Sequence, residues 1–179
     1  MTKVLLVIDV QQGLCEGEDA VFDGPGLIGR INQLTVGCHA ANVPVIFIQH
    51  ESTAGYLERG SRAWQLAQGL KVEDSDICLR KTAADAFHKT VLLSTLQELG
   101  ATELLVCGMH TEFCVDTTVR RALALGYPVT LFEDGHSSAG NRVLSPQQVI
   151  AHHNATLSNI SSFGPRVALA NSAHWFEAA

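Results

Sequence analysis

The sequence predicts an α/β fold, a doubly wound and Rossmann-like three-layer αβα arrangement around a six-stranded parallel sheet. Short apolar runs alternate with amphipathic stretches along the chain, an order that implies right-handed βαβ crossovers. The apolar runs are hydrophobic on both alternating faces, as strands are when helices cover both sides of a sheet. Among 179 residues, 46% are hydrophobic and 17% are charged, which favours one folded domain over residues 1–179 rather than a disordered chain.

The strands are predicted from runs that are apolar and rich in β-branched residues. Four such runs are strong, and they occupy residues 3–9, 43–49, 101–108 and 127–134. Two weaker candidates occupy residues 76–80 and 165–170. The strong runs lack the polar alternation of half-exposed strands, so we expect both of their faces to be buried.

The helices are predicted from apolar residues that recur near a period of 3.6. They occupy residues 26–42, 90–100, 112–126 and 145–160. Gly100 and Gly126 stand where helix C-caps belong, and Ser145 followed by Pro146 is a typical helix start. The long segment 51–75 shows no clear period, and we expect it beside the strand ends, in the core or in a pocket wall.

Charge and cysteine content narrow the class of protein. The formal net charge is −6, and no basic run is longer than the pair Arg120 and Arg121, so nucleic-acid and anionic-membrane partners are not expected. The apolar run Val4–Ile8 is too short for a signal peptide or a membrane span. Five dispersed cysteines without a C-x-x-C pair are typical of a cytoplasmic protein with reduced thiols. Dinucleotide and P-loop motifs are absent from the sequence.

Polar residues at the ends of the predicted strands are the first candidates for a site, because ligands of open parallel sheets bind there. Asp9 ends the first strand, where desolvation suits a carboxyl group to proton transfer; a structural pairing with an arginine is the alternative. Lys81 follows the third strand, and a solvated surface cation is its alternative role. Beside Asp9, Lys81 would hold the carboxylate and lower the pKa of a nearby thiol.

Cys114 is the candidate nucleophile. The fourth strand ends at Gly108 and a helix is expected to open near Thr111, which places Cys114 in the first turn of that helix. Backbone N–H groups and the helix dipole favour a thiolate at this position, so we expect a lowered pKa. A buried structural cysteine is the alternative. That role is expected for Cys38, Cys78 and Cys107, whereas the role of Cys15 is undecided.

The eight histidines do not form a metal motif. There is no H-x-H or H-E-x-x-H in the sequence, and His152 and His153 are adjacent on a helix and so point apart. His50 ends the second strand and His110 precedes Cys114, so both are candidates to face the site as single polar residues. We therefore expect no bound metal and no cofactor.

Several sequence blocks together resemble one enzyme family. The blocks are LLVIDVQ, IQHES, KTAADAF, GMHTEFCVDTTVRRALALGY and VTLFEDGHSS. In this order they are similar to the isochorismatase-like cysteine hydrolases, a family that includes nicotinamidase, N-carbamoylsarcosine amidase, ureidoacrylate amidohydrolase and isochorismatase. The resemblance covers nearly the whole chain.

The resemblance implies a catalytic triad of Asp9, Lys81 and Cys114. In this family the aspartate takes the thiol proton, the lysine stabilises the charges, and the thiolate forms an acyl-enzyme that water hydrolyses. The family also has a cis peptide before the nucleophile turn, which corresponds to Met109–His110. The backbone N–H groups of His110 and Cys114 would then form the oxyanion hole.

The sequence and the family resemblance also lead to expectations for the substrate contacts and for the oligomeric state. The residues expected at the substrate are Gln11, His50, Trp64 and Phe87. Selectivity is expected to be influenced by the segment 51–75, by Phe22 and Phe87, and by residues of a partner subunit. The substrate itself is expected to be a small molecule. Many family members are dimers or tetramers, so the resemblance implies a homodimer or homotetramer.

Two departures from the family pattern bear on the reaction. Metal-dependent nicotinamidases carry D-x-H where this chain has Gln49, His50 and Glu51, and isochorismatases proper lack the nucleophile that is present here as Cys114. Both observations favour a metal-independent hydrolase of C–N bonds in an amide, carbamoyl or ureido substrate. Two alternatives stay open: a metal-assisted, nicotinamidase-like amidase that uses His50, and a non-catalytic binding or thiol-redox protein on the same fold.

Overall fold

The computed structural model of the chain describes residues 2–18 and 20–176. Its centre is a six-stranded sheet in which all paired strands are parallel, in the order β3-β2-β1-β4-β5-β6. The strands are β1 (Lys3–Ile8), β2 (Val45–His50), β3 (Ile77–Lys81), β4 (Glu103–Met109), β5 (Val129–Ser137) and β6 (Val167–Ala170). The predicted α/β fold and its six-stranded parallel sheet are confirmed.

Helices flank the sheet. They are α1 (Gln12–Cys15), α2 (Gly24–Ala40), α3 (Leu92–Glu98), α4 (Asp116–Ala124) and α5 (Pro146–Ser158), together with a π-helical turn at Thr111–Val115 and a 3₁₀ turn at Ser172–His174. The short α1 was not predicted from the sequence. The predicted helix 112–126 divides into the π-helical turn and α4, so the chain around Cys114 is wound more loosely than expected.

The predicted helix ends are confirmed by their local geometry. Gly100 and Gly126 follow α3 and α4 with positive φ angles of 64° and 95°, the left-handed conformation that glycine adopts without a steric penalty. Ser145 caps α5 by accepting a hydrogen bond from the Gln148 backbone N–H, and the Gln148 side chain accepts one from the Ser145 backbone N–H. This capping box fixes where α5 begins.

Both faces of the sheet are covered, as the apolar runs predict. Along β1, Leu6 and Ile8 pack in one cluster with residues of α3 and α4, whereas Leu5 and Val7 pack in a second cluster with residues of α2. Each fully buried side chain of this size stabilises the fold by roughly 1.5–3 kcal/mol. The alternation along β1 therefore specifies which of its side chains face each side of the sheet.

The strand order reverses between β1 and β4, which lie side by side at the centre of the sheet. The chain leaves β1 towards β2 and β3 on one side, and leaves β4 towards β5 and β6 on the other. Gly108 of β4 has φ 127°, and a Cβ atom there would collide with the Ile8 backbone, so only glycine allows the two strand ends this close approach. The carboxyl ends of β1 and β4 thus open a crevice of the kind that binds ligands.

The structure confirms the predicted environment of two cysteines and corrects that of a third. Cys38 and Cys107 are fully buried in the core, as expected. Cys78 is exposed, because β3 is an edge strand and the side chains of its alternate residues face solvent; its predicted packing role is wrong.

No helix within the described residues is both long and apolar enough to cross a membrane.

Candidate active site

Lys81 lies at the centre of the crevice. It is the last residue of β3 and its side chain is buried. Its ammonium lies 2.7 Å from Asp9 Oδ2 and 3.2 Å from Cys114 Sγ. It also donates to the Ala83 carbonyl at 3.0 Å and lies 3.2 Å from His50 Nδ1. These four partners outnumber the three N–H donors of a lysine, so Lys81 is a fixed buried cation rather than a solvated one.

Asp9 is held in an uncommon backbone conformation directly after β1. Its φ angle is 51°, in the left-handed region that residues other than glycine rarely adopt and that recurs at functional sites. Its backbone N–H donates to the Ile48 carbonyl at 2.8 Å, which ties the turn to β2. Oδ2 faces Lys81, whereas Oδ1 is buried and has no hydrogen-bond partner among the described residues. Oδ1 is therefore a carboxylate oxygen with an open lone pair, and it can accept a proton.

Cys114 lies on the π-helical turn that follows β4 and is half-buried at the pocket. Burial and, after it, the Asp9 carboxylate raise the pKa of its thiol to about 12, against the opposing effect of the Lys81 ammonium. The predicted lowering of this pKa is wrong, because the sequence does not show how deeply the thiol is desolvated or that the charge of Lys81 is largely balanced by Asp9. At rest, the candidate nucleophile is a neutral thiol beside a carboxylate.

His50, the last residue of β2, faces the same crevice. Burial lowers the pKa of its imidazole, and the neighbouring Lys81 charge lowers it further, so the ring is neutral at pH 7. Lysine is only a donor, so Nδ1 can accept from Lys81 in the tautomer that carries the ring proton on Nε2. Of the residues expected at the substrate, His50 is the one that the structure places at the pocket.

Asp9, His50 and Cys114 also form the kind of cluster that binds metals, since their ligand atoms lie within 4.8 Å of one another. The ammonium of Lys81 is 2.7–3.2 Å from an atom of each of these residues. Zinc would need to approach the same atoms to about 2.0–2.3 Å, and it would then share its position with a cation. The donor set is already occupied by Lys81, so these residues do not fit a metal ion in this arrangement.

Gln11 has a role different from the predicted pocket lining. Its side-chain amide donates to the backbone carbonyls of His50 and Trp64 at 2.9 and 2.8 Å, and it accepts from the His50 N–H at 2.8 Å. It is fully buried and both of its amide protons are used. Gln11 therefore ties the end of β2 to the irregular segment, and Trp64 is held there through its backbone rather than as a lining side chain.

The two phenylalanines that were expected to influence selectivity lie elsewhere. Phe87 is buried in the core cluster that contains Leu92 and Val115, so its predicted substrate contact is wrong. Phe22 lines a separate cavity beside β5 and α5. Aromatic residues in loops are equally suited to a core and to a pocket wall, and their position in the sequence does not distinguish the two.

The pocket over the thiol has a volume of about 360 Å³. Besides Asp9, His50, His110 and Cys114, it is lined by apolar residues that sequence reasoning did not single out, namely Leu14, Leu57, Ala84 and Phe113. Leu57 belongs to the irregular segment that was expected to shape the site. Phe113 precedes the nucleophile and is 59% exposed; an exposed aromatic residue beside a candidate nucleophile is the signal that could have identified it.

A buried chain of hydrogen bonds holds the π-helical turn that carries Cys114. This chain was not predicted from the sequence. Thr111, the first residue of the π-helical turn, donates to His136 Nδ1 at 2.8 Å, and His136 Nε2 donates to Asn154 Oδ1 of α5 at 2.9 Å. Burial lowers the pKa of His136 to about 4, against a smaller opposite contribution from the hydrogen bond to Asn154. The ring is neutral at pH 7, and it joins β5 and α5 to the turn that carries Cys114.

The peptide bond between Met109 and His110 is cis, as the family resemblance implies. It lies between the end of β4 and the π-helical turn. His110 lines the pocket next to Cys114. The role of the two backbone N–H groups of these residues as oxyanion donors stays a prediction.

Comparisons with known proteins show which family the chain resembles. The sequence profile of the isochorismatase domain matches residues 3–163. A streptothricin hydrolase of Streptomyces noursei is 33% identical over 137 residues, covering 76% of this chain and 50% of that protein. A ureidoacrylate amidohydrolase of Methylobacterium radiotolerans is 28% identical, covering 90% of this chain and 74% of that protein. The chain spans about half the length of the streptothricin hydrolases that it matches.

The likeness extends to three dimensions. The crystal structure of an isochorismatase family protein superposes with a TM-score of 0.86 at 34% sequence identity, covering 94% of this chain and 98% of that one. The profile match includes the ends of β1, β3 and β4, and therefore all of the residues that meet around Lys81. The chain belongs to the isochorismatase family.

Proposed function

We propose that the protein is a metal-independent cysteine hydrolase that cleaves a C–N bond of a small amide, carbamoyl or ureido substrate. The observation that carries this proposal is the contact of one buried ammonium, Lys81, with both a carboxylate, Asp9, and a thiol, Cys114, at the floor of a ligand-sized pocket. A nucleophile, its base and a fixed cation within hydrogen-bond reach are the parts that covalent acyl transfer requires. The two relatives described above, a hydrolase and an amidohydrolase, support the same reaction class.

In the first half of the proposed reaction, Asp9 Oδ1 takes the thiol proton as Cys114 Sγ attacks the substrate carbonyl carbon. The carbonyl oxygen becomes an oxyanion, and the backbone N–H groups of His110 and Cys114 are the proposed donors to it. Collapse of this intermediate breaks the C–N bond, and protonated Asp9 returns its proton to the leaving nitrogen. The product is a thioester on Cys114 and a free amine or ammonia.

In the second half, Asp9 acts on water. The carboxylate takes a proton from a water molecule as its oxygen attacks the thioester carbonyl, and the C–S bond then breaks. The proton on Asp9 returns to the departing sulfur, which restores the neutral thiol. Throughout, Lys81 stays within 3.2 Å of both reacting side chains and stabilises the thiolate whenever it forms.

The test of this proposal is a turnover assay with a matched pair of cysteine variants. Release of ammonia or amine is measured with a panel of small neutral amides and ureas that includes hexanamide and propylurea. Cys114→Ala is expected to abolish turnover while the circular-dichroism spectrum is unchanged, because only the nucleophile is lost. Cys78→Ala, which removes an exposed thiol on the edge strand, is expected to keep wild-type rates; full activity of Cys114→Ala would overturn the proposal.

A metal-assisted amidase is the second candidate, and the cluster of Asp9, His50 and Cys114 is the observation that favours it. Because Lys81 already occupies the centre of that cluster, we expect prolonged treatment with EDTA to leave turnover unchanged. The measurement is the rate before and after chelation, together with metal analysis of the untreated protein. Loss of activity that zinc restores, with about one zinc per chain, would favour the metal-assisted reaction instead.

A further inference from the structure

The side chains that line the pocket indicate which substituent of a substrate would fit beside the scissile bond. Leu14, Leu57, Ala84 and Phe113 contribute apolar surface, and the polar lining is limited to residues at or next to the reacting thiol. Among the described residues that line the pocket, none is a lysine or an arginine. A ligand group that extends from the scissile carbonyl therefore meets hydrocarbon rather than charge.

The cations near the pocket are already committed to other partners. Lys81 uses its donors on Asp9, Cys114, His50 and the Ala83 carbonyl, and its charge is balanced by Asp9 at 2.7 Å. Arg80, next to Lys81 in the chain, forms an ion pair with Glu51 at 3.1 Å. A substrate carboxylate would find no counter-charge along this wall.

The charges of the groups around Lys81 also balance one another. Lys81 and Asp9 cancel, the Cys114 thiol is neutral because its pKa is raised, and the His50 ring is neutral because its pKa is lowered. A charged group that loses water without gaining a partner is strongly disfavoured. An uncharged, apolar substituent would instead bury surface against the four apolar side chains.

Resting on the proposed function, we propose that the pocket selects neutral substrates, amides or ureas with an apolar substituent, and rejects analogues that carry a carboxylate in that substituent. The carbonyl and nitrogen of the scissile group would lie at Cys114 and the polar floor. The substituent would lie against Leu14, Leu57 and Phe113. The selected feature is the absence of charge together with a hydrocarbon chain that fits about 360 Å³.

Pairs of compounds that differ only in the terminal group test this selectivity. Hexanamide is compared with adipamate, and propylurea with 3-ureidopropionate, so that a methyl group is replaced by a carboxylate in each pair. We expect kcat/KM to be about 100-fold higher for the neutral member, from the loss expected when an unpaired charged group is desolvated. Equal values, or a preference for the carboxylates, would overturn the inference while leaving the proposed hydrolase reaction intact.

A charge placed in the wall should change the preference. Phe113→Arg introduces a cation at the mouth of the pocket and is expected to raise kcat/KM for the carboxylate members about 10-fold. The matched control is Val143→Arg, which adds the same charge at an exposed apolar position outside the pocket lining and is expected to leave the ratio within each pair unchanged. An unchanged ratio in Phe113→Arg would count against an electrostatic origin of the selectivity and would overturn it.

A binding measurement separates failure of the inference from failure of the proposed reaction. If none of the four compounds is hydrolysed by the wild-type protein, the proposed function fails for these substrates, and binding to Cys114→Ser is then measured by calorimetry. Tighter binding of the neutral members supports the inference even without turnover. Equal binding, tighter binding of the carboxylates, or no binding of either neutral compound overturns it.

Discussion

At the scale of single residues, the charge balance around Cys114 determines when its thiol becomes a nucleophile. Burial and the Asp9 carboxylate raise the thiol pKa to about 12, and only Lys81 opposes them. A thiolate is therefore rare in the resting pocket at pH 7, and in the proposed mechanism the attack depends on proton transfer to Asp9 as the sulfur approaches the carbonyl. We expect this arrangement to keep the thiol unreactive until a substrate is in place.

Asp9→Asn is expected to raise the reactivity of the Cys114 thiol while it lowers the turnover rate. Removal of the carboxylate leaves the Lys81 charge unbalanced and lowers the pKa of Cys114, so iodoacetamide should alkylate Cys114 faster at pH 7 than in the wild-type protein. Turnover should nevertheless fall by about 100- to 10,000-fold, because the base is lost. Alkylation followed by peptide mapping measures the first effect, and exposed Cys78 in the same protein is the internal control. Slower alkylation together with retained turnover would contradict the role given to Asp9.

The positions of the reacting residues were accessible from the sequence, whereas their ionisation was not. Asp9 and Lys81 stand at the ends of apolar runs, and parallel strands bring such ends to one edge of the sheet. The pKa of the Cys114 thiol depends on burial and on the mutual cancellation of Asp9 and Lys81. Neither quantity has a signature in the local sequence, which is why a helix-end position alone suggested a shift in the opposite direction.

At the scale of secondary-structure elements, the turn after β4 is held by a buried chain that crosses from β5 to α5. Thr111, His136 and Asn154 are linked by hydrogen bonds of 2.8 and 2.9 Å. Because the protonated ring has no acceptor at Nδ1 to offer Thr111, the chain requires neutral His136. The stability of this part of the fold is therefore linked to pH.

The fold should lose stability in acid through His136. The pKa of His136 is lowered to about 4 in the folded protein, whereas an unfolded chain binds the proton near pH 6.5. Above pH 6.5 both states are neutral and there is no effect; between pH 6.5 and 4 only the unfolded state gains a proton, so the free energy of unfolding falls, by about 3 kcal/mol in total. Urea denaturation at a series of pH values measures this slope.

The matched variant for that measurement is His136→Gln, which keeps a donor and an acceptor but does not titrate. It is expected to be less stable than wild type at pH 7 and to lack the part of the pH slope that belongs to His136. A slope identical to that of the wild-type protein would show that other groups cause the acid sensitivity.

The buried strands were predicted better than the π-helical turn and the irregular segment, and the reasons are physical. The strong apolar runs became β1, β2, β4 and β5 because burial on both faces leaves a continuous signal in the sequence. The π-helical turn 111–115 was not predicted, because its apolar spacing over five residues does not differ from that of a short α-helix. The segment 51–75 has no periodicity, and its path is set by contacts such as those of Gln11, which are distant in the sequence.

At the scale of the whole molecule, the reversal of strand order places β1 beside β4 and so brings Asp9 to Cys114. Lys81 reaches the same point from the edge strand β3, across β2. Three segments that are separated by about 30 to 70 residues in the sequence thus meet at one edge of the sheet. The fold class and the meeting point could be predicted from the sequence, whereas the apolar wall of Leu14, Leu57, Ala84 and Phe113 required the packed structure. The homodimer or homotetramer implied by the family stays a prediction.

Acid quenching of the wild-type protein during turnover, followed by intact-mass and peptide mass spectrometry, tests the central claim most directly. With the panel of neutral amides and ureas, the proposed mechanism predicts one acyl or carbamoyl adduct per chain, on Cys114, that disappears when the substrate is exhausted. Cys114→Ala should show no adduct at this position. Turnover without any adduct on Cys114, or an adduct that forms instead on Cys15 or Cys78, would contradict covalent catalysis by Cys114.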